Sequence, residues 1–182
     1  MQIVGIAGSL RAGSFNAALL RAAAEECPKQ ATLAIETIRC IPLYDGDVEA
    51  AQGIPARAAE LKERIASGDA LLIVTPEYNN SIPGVFKNAV DWLTRPPADV
   101  PRVFKGRAVG LIGASPGAYG TVLSQTAWLP VFRTLGMRPY FGQLLYVGGA
   151  AKVFDASGRL ADDAIRARLR KYLEGFVEFV AG

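Results

Sequence analysis

The 182-residue chain contains no histidine at all. That absence removes Ser-His-Asp and Cys-His nucleophilic schemes and every histidine-ligated metal centre. Any chemistry must therefore come from other side chains or from a cofactor. Cysteine is nearly absent too: Cys27 and Cys40 are the only two, and no CxxC spacing relates them. Two free thiols, buried or half-buried in a reducing compartment, are the expectation. No apolar run could span a bilayer, since the longest, Ala70 to Val74 and Ala108 to Ile112, are strand-sized. The chain opens directly on Gln2-Ile3-Val4-Gly5-Ile6, without a basic region or a small-residue cleavage site, and reads as a mature cytoplasmic N-terminus. Charge of one sign is also lacking. Lys plus Arg is 20 against Asp plus Glu 17, with no basic run, which excludes a nucleic-acid stripe and suits anionic ligands mildly.

What is present is a hydrophobic fraction of 51% against 20% charged, enough for one domain, 1–182, with a substantial core. Short β-branched runs alternate with amphipathic stretches, the pattern of an α/β protein with a parallel sheet. Strands are expected at about 2–7, 32–38, 70–75, 107–114 and 139–147, the last interrupted at Gly142. Helices are expected at about 14–26, 55–67, 83–94, 118–135 and 160–180. The helix at 83–94 carries two apolar stripes, Phe86, Val90 and Leu93, and Val85, Ala89 and Trp92. One stripe is assigned to the sheet and the other to a partner subunit. The proline-rich stretch Arg95 to Pro101 reads as a surface loop.

In an open parallel sheet, ligands sit outside the carboxyl ends of the strands. Three loops fall there. The first, Gly8-Ser9-Leu10-Arg11-Ala12-Gly13-Ser14-Phe15-Asn16, joins a strand to a helix N-terminus. Its amides, the Ser9 and Ser14 hydroxyls and Arg11 can hold a phosphate monoester. It can equally be a plain turn in which Ser14 caps the helix and Arg11 is solvated. It has no GxGxxG and no GK[ST], so neither a Rossmann dinucleotide site nor a P-loop is present. The second, Thr75-Pro76-Glu77-Tyr78-Asn79-Asn80-Ser81-Ile82-Pro83-Gly84, is stiffened by prolines and turned by asparagines. It suits the edge of a flat heterocycle, or else Ser81 caps the next helix and Tyr78 covers the core. The third, Ala114-Ser115-Pro116-Gly117-Ala118-Tyr119-Gly120-Thr121, lets the backbone approach a ligand or simply starts a helix.

Together these segments, with Lys87-Asn88-Ala89-Val90-Asp91-Trp92, resemble the NADPH-dependent FMN reductase family, which includes bacterial quinone, chromate and azo-dye reductases. The resemblance runs over nearly the whole chain. It implies a flavodoxin-like three-layer sandwich, with a five-stranded parallel sheet in the order 2-1-3-4-5 and helices on both faces. It implies non-covalent FMN, NADPH or NADH as co-substrate, and a homodimer or dimer of dimers with its site near the subunit interface. Carried over by position, Ser9, Arg11, Ser14, Phe15 and Asn16 surround the FMN phosphate. Pro76, Glu77, Tyr78 and Asn79 line the isoalloxazine and ribityl region. Ser115 and Gly117 follow with less support, because Thr121 stands where a second glycine is common.

The expected reaction is a ping-pong transfer of electrons from NAD(P)H to a quinone, azo compound, chromate or free flavin. No catalytic side chain is assigned. Glu77 is read as a carboxylate capping backbone amides rather than a general acid, and Tyr78 as a candidate wall of the acceptor pocket. The alternatives are a flavin-binding electron carrier without turnover, disfavoured by the slight positive charge, and a fold relative that has lost the flavin.

Overall fold

The computed structural model describes residues 1–182. Fifteen segments follow one another: β1 (Gln2–Ala7), α1 (Phe15–Glu25), β2 (Thr32–Thr37), α2 (Gly46–Gln52), α3 (Ala56–Ser67), β3 (Ala70–Val74), α4 (Gly84–Leu93), a 3₁₀ turn (Pro97–Asp99), α5 (Val100–Val103), β4 (Ala108–Ala114), α6 (Val122–Thr134), β5 (Arg138–Pro139), β6 (Leu145–Val147), α7 (Ala150–Val153) and α8 (Asp163–Ala181). The sheet is parallel throughout, ordered β2-β1-β3-β4-β5, with β6 also pairing to β4. Helices cover both faces, so the fold is the flavodoxin-like sandwich that the family resemblance implies.

The strands divide their side chains by alternation. Ala70, Leu72 and Val74 of β3 join Ile3, Ala108 and Ile112 in a core closed by α1 and α8. Leu71 and Ile73 join Val4, Ile6 and Val109 in the opposite core, under α3, α4 and α6. All five residues of β3 are buried, as a central strand covered on both faces requires. Expected helix and strand ends shift by one to four residues. The last helix starts at Asp163, because Asp162 caps it by accepting the Ile165 amide at 2.9 Å, while Leu160 is drawn into a bridge with Phe154.

Four expectations need correction. First, α2 occupies a stretch, between the strand expected at 32–38 and the helix at 55–67, to which the sequence pattern assigns no element. It buries none of its side chains, so no apolar period marks it; Asp45 nucleates it by capping Asp47 N–H at 2.9 Å. Second, the Arg95–Pro101 stretch is helical in its second half. Buried Lys62 fastens it by donating to Arg95 O at 2.8 Å and pairing with Asp99. Third, Trp92 needs no partner subunit. Its indole N–H donates to Pro42 O at 2.9 Å and its ring meets Tyr44 edge-on at 5.0 Å. Asn88 grips the same segment, donating to Pro42 O and accepting from Tyr44 N–H, both at 2.8 Å. The second stripe of α4 is thus covered from within the chain, apart from exposed Val85. Fourth, Cys40 is exposed, while Cys27 is half-buried, its thiol pushed up by burial and donating to Ala31 O.

The fifth sheet position is split into β5 and β6 around residues 140–144, a wider break than one at Gly142 alone. Across the gap the edge of β4 is met by a side chain. The Leu111 amide donates to the Tyr172 hydroxyl at 2.6 Å, and that hydroxyl lies 3.3 Å from Leu111 O. Tyr172 is fully buried on α8, and burial pushes its phenol well above the usual range. Losing it would strand the Leu111 amide, at a cost of about 1–3 kcal/mol. Gly110 makes the approach possible, because a Cβ there would sit 3.0 Å from the Tyr172 oxygen.

Candidate functional site: a cleft at the carboxyl ends of β1, β3 and β4

The chain leaves β1 with Gly8, whose amide donates to Val74 O at 2.9 Å and so ties the first loop to β3. A Cβ at Gly8 would lie 2.0 Å from the Phe86 ring, so only glycine lets the loop pass over α4. Ser14 then caps α1, its hydroxyl accepting the Ala17 amide at 3.2 Å. Ser9 accepts the Arg11 amide, and the Arg11 guanidinium donates to Gly13 O at 2.7 Å while lying 5.5 Å from the centre of the Phe15 ring. Arg11 enters no ion pair. The amides of Ala12, Gly13, Phe15 and Asn16 make no hydrogen bond within the chain. Four unengaged amides, a helix N-terminus and an unpaired guanidinium make an anion cradle.

The second loop is a tight hairpin. Tyr78 and Ser81 exchange backbone hydrogen bonds of 3.2 and 3.0 Å. Asn79 and Asn80 between them have φ of 50° and 60°, the left-handed values such a turn demands and asparagine tolerates. Ser81 is thereby committed to the turn and does not cap α4, whose cap position is Pro83. Tyr78 is 47% exposed and does not cover the core; its hydroxyl approaches Ser9 Oγ at 3.4 Å.

Two side chains fasten the loops to one another. Asn16, 3% exposed, donates to Ala114 O at 2.8 Å and accepts from Ala114 N–H at 2.9 Å, joining the first loop to the third. Glu77 accepts the amides of Leu123 and Ser124 at 2.8 and 3.0 Å, joining the second loop to the start of α6. Behind it, the Thr75 and Ser124 hydroxyls share a 2.9 Å hydrogen bond, and the Trp128 indole donates to Thr75 Oγ1 at 3.1 Å. In the third loop Ser115 donates to Gly120 O at 2.7 Å.

Between these loops lies an open cleft of about 280 Å³. Of the residues singled out from the sequence, Ser9, Arg11, Ser14, Phe15, Asn16, Pro76, Glu77, Tyr78 and Ser115 line it, together with Ala114 and Pro116. Asn79 and Gly117 do not. Asn79 forms the outer corner of the hairpin, and the Gly117 carbonyl accepts the Gly149 amide. The sequence reading missed Thr75, Ser124 and Trp128, and also Arg39, which holds the first loop by donating to Leu10 O at 2.6 Å. Only Thr75 carried a local signal, a hydroxyl closing an otherwise apolar strand.

The cleft has no pair of nucleophile and base, and no cluster of three His, Cys, Asp or Glu side chains occurs anywhere to hold a metal. The arrangement binds and orients. Its anion cradle sits at one end and a stiff, amide-bearing hairpin at the other, which fits an elongated ligand with a phosphate tail and a flat head.

Comparison with known proteins agrees with that geometry. The family model for NADPH-dependent FMN reductase matches residues 1–152. An NAD(P)H-dependent FMN reductase of Pseudomonas aeruginosa is 38% identical over 174 residues, covering 96% of this chain and 92% of the relative. A quinone reductase of Escherichia coli K12 is 35% identical over 185 residues, covering 99% and 95%. Among solved structures, a flavoenzyme NAD(P)H:(acceptor) oxidoreductase from Paracoccus denitrificans superposes with a TM-score of 0.87 at 30% identity, covering 99% of this chain and 97% of that one. Sheet order, loop architecture and sequence thus converge, and the chain belongs to the NADPH-dependent FMN reductase family.

Proposed function

We propose that the chain is an FMN-dependent NAD(P)H oxidoreductase that reduces quinones and similar small acceptors in a ping-pong cycle. The observation that carries this reading is the anion cradle of Arg11 and the unengaged first-loop amides, beside a rigid hairpin at the sheet's carboxyl edge. The chemistry supplied by FMN when bound is two-electron transfer from NAD(P)H to the acceptor, so that a quinone with two electrons and two protons becomes a hydroquinone. The protein's part is placement. The amides of Ala12, Gly13, Phe15 and Asn16, with Arg11, hold the terminal phosphate. The hairpin segment from Pro76 to Tyr78 would present backbone groups along the ring. Exposed Tyr78 stands at the mouth, where it shapes the space for nicotinamide and acceptor in turn. Glu77, occupied by two amides, holds the hairpin in place and moves no proton.

The working unit is a homodimer in the cytoplasm. Its interface is the α4–α6 face, where Val85 and Leu123 are 36% and 47% exposed and a groove of about 520 Å³ is bordered by Val90, Val100 and Val131. Both helices begin at the cleft, so a second copy there supplies part of the acceptor pocket's wall. No helix is long and apolar enough to cross a membrane.

Titration of flavin-stripped protein with FMN, followed by flavin fluorescence, tests the cofactor. One-to-one saturable binding is expected, weakened about 10- to 100-fold by Arg11→Ala through loss of a charged hydrogen bond. The loaded wild type should then oxidise NADPH steadily with a quinone. No saturation at micromolar FMN would overturn the enzyme reading.

A further inference from the structure

The N-terminus of α6 is capped in an unusual way. Thr121, at the cap position, caps no backbone amide of the helix, its hydroxyl instead accepting from the Gln125 side chain at 3.0 Å, and no acidic residue lies in the first turn. The cap comes from another element. Glu77 reaches across from the hairpin after β3, and one oxygen takes both the Leu123 and Ser124 amides. Glu77 is also one of the residues lining the cleft, and its carboxylate enters no ion pair with Lys or Arg and has only these amides as hydrogen-bond partners. A helix N-terminus carries roughly half a positive charge. Left bare behind the cleft-lining Glu77, it would favour negative charge nearby; with the carboxylate seated on it, the local balance becomes negative.

We propose that Glu77 is a positioning and electrostatic residue that keeps the reduction potential of the bound flavin low, by withholding the α6 N-terminus from it and placing a carboxylate in its stead. This rests on the FMN site proposed above. Reduction of the flavin at neutral pH adds negative charge to its ring. A carboxylate on the cleft wall disfavours that charge, and a bare helix N-terminus would favour it. The arrangement therefore weakens binding of reduced relative to oxidised FMN and biases the enzyme toward rapid delivery of electrons to its acceptor. A structural clamp alone would make no difference between the two redox states.

The test compares wild type, Glu77→Gln and Glu77→Ala in flavin-loaded form. Glutamine keeps an oxygen for the two amides and removes the charge; alanine removes both. Both variants are expected to raise the ratio of Kd for oxidised FMN to Kd for reduced FMN about 3- to 20-fold, read equally as a more positive midpoint potential. Stopped-flow traces of Glu77→Gln should show reduction by NADPH unchanged or faster and reoxidation by quinone slower. Thermal stability should drop clearly for alanine only. An unchanged or lowered ratio in Glu77→Gln, with FMN still bound, overturns the inference and leaves the enzyme reading standing. Failure of the wild type to bind FMN removes both.

Discussion

Asn16 shows how much of the site rests on single side chains doing work that their position in sequence does not announce. Its place in a serine- and glycine-rich loop suggested contact with a phosphate, and the residue does line the cleft. Its amide group, however, is fully engaged with both backbone groups of Ala114, 98 residues away. Replacing it with alanine leaves two buried backbone groups unpaired and should destabilise the protein by about 2–4 kcal/mol. FMN affinity should fall with it, because the first and third loops lose their common anchor. Urea melts and FMN titration of Asn16→Ala measure both, and a loss of FMN affinity with unchanged stability would contradict this role. Residue types in the loops were legible because hydroxyls, glycines and asparagines at strand ends have few other uses. Pairings such as Asn16 with Ala114 or Glu77 with α6 were not, since they join segments far apart in sequence.

At the scale of elements, amphipathic helices and β-branched strands announced themselves, and what lacked a buried stripe did not. The short helix α2 buries nothing, while β5 and β6 fall on the strand expected at 139–147 but, at two and three residues, are too short for alternation to fix their ends. Electrostatics acts mainly between elements. Glu26 ends α1, where the helix dipole disfavours a carboxylate. Arg170 and Arg166 of α8 offset this, one turn apart, and hold its carboxyl below the ordinary value of 4.5. A carboxylate whose pKa is lowered on folding contributes stability that is complete above its unfolded value and disappears as pH falls through the folded one. Glu26→Gln should therefore melt a few degrees below wild type at pH 7, with the gap closing between about pH 5 and 3. Melting curves across that range check it, and a gap that stays constant with pH would show that the pair contributes packing rather than charge.

At the scale of the molecule, the alternation of strands and helices led to an α/β fold with a parallel sheet, and the strand order came from the family resemblance. The assignment of a stripe to a partner subunit failed for Trp92, which is covered by the segment around Pro42, so an apolar stripe in sequence cannot say who covers it. A face of α4 and α6 that remains open is that of Val85 and Leu123. Val85→Glu should convert a dimer into monomers in sedimentation and raise KM for the acceptor while leaving FMN affinity within about threefold, since the residue lies outside the FMN cleft. A wild type that sediments as a monomer would remove that interface. The split fifth strand has a consequence beyond catalysis. A foreign strand docking beside β4 finds two ladder fragments too short to template it and, between them, the Tyr172 hydroxyl already on the Leu111 backbone. The longer free edge is that of β2, with Ile35 half-exposed, open up to Thr37, whose carbonyl the Arg57 guanidinium occupies. Fibrils or cross-β assemblies, under conditions that strip the protein of its ligands, would therefore grow from one flank of the sheet and not the other.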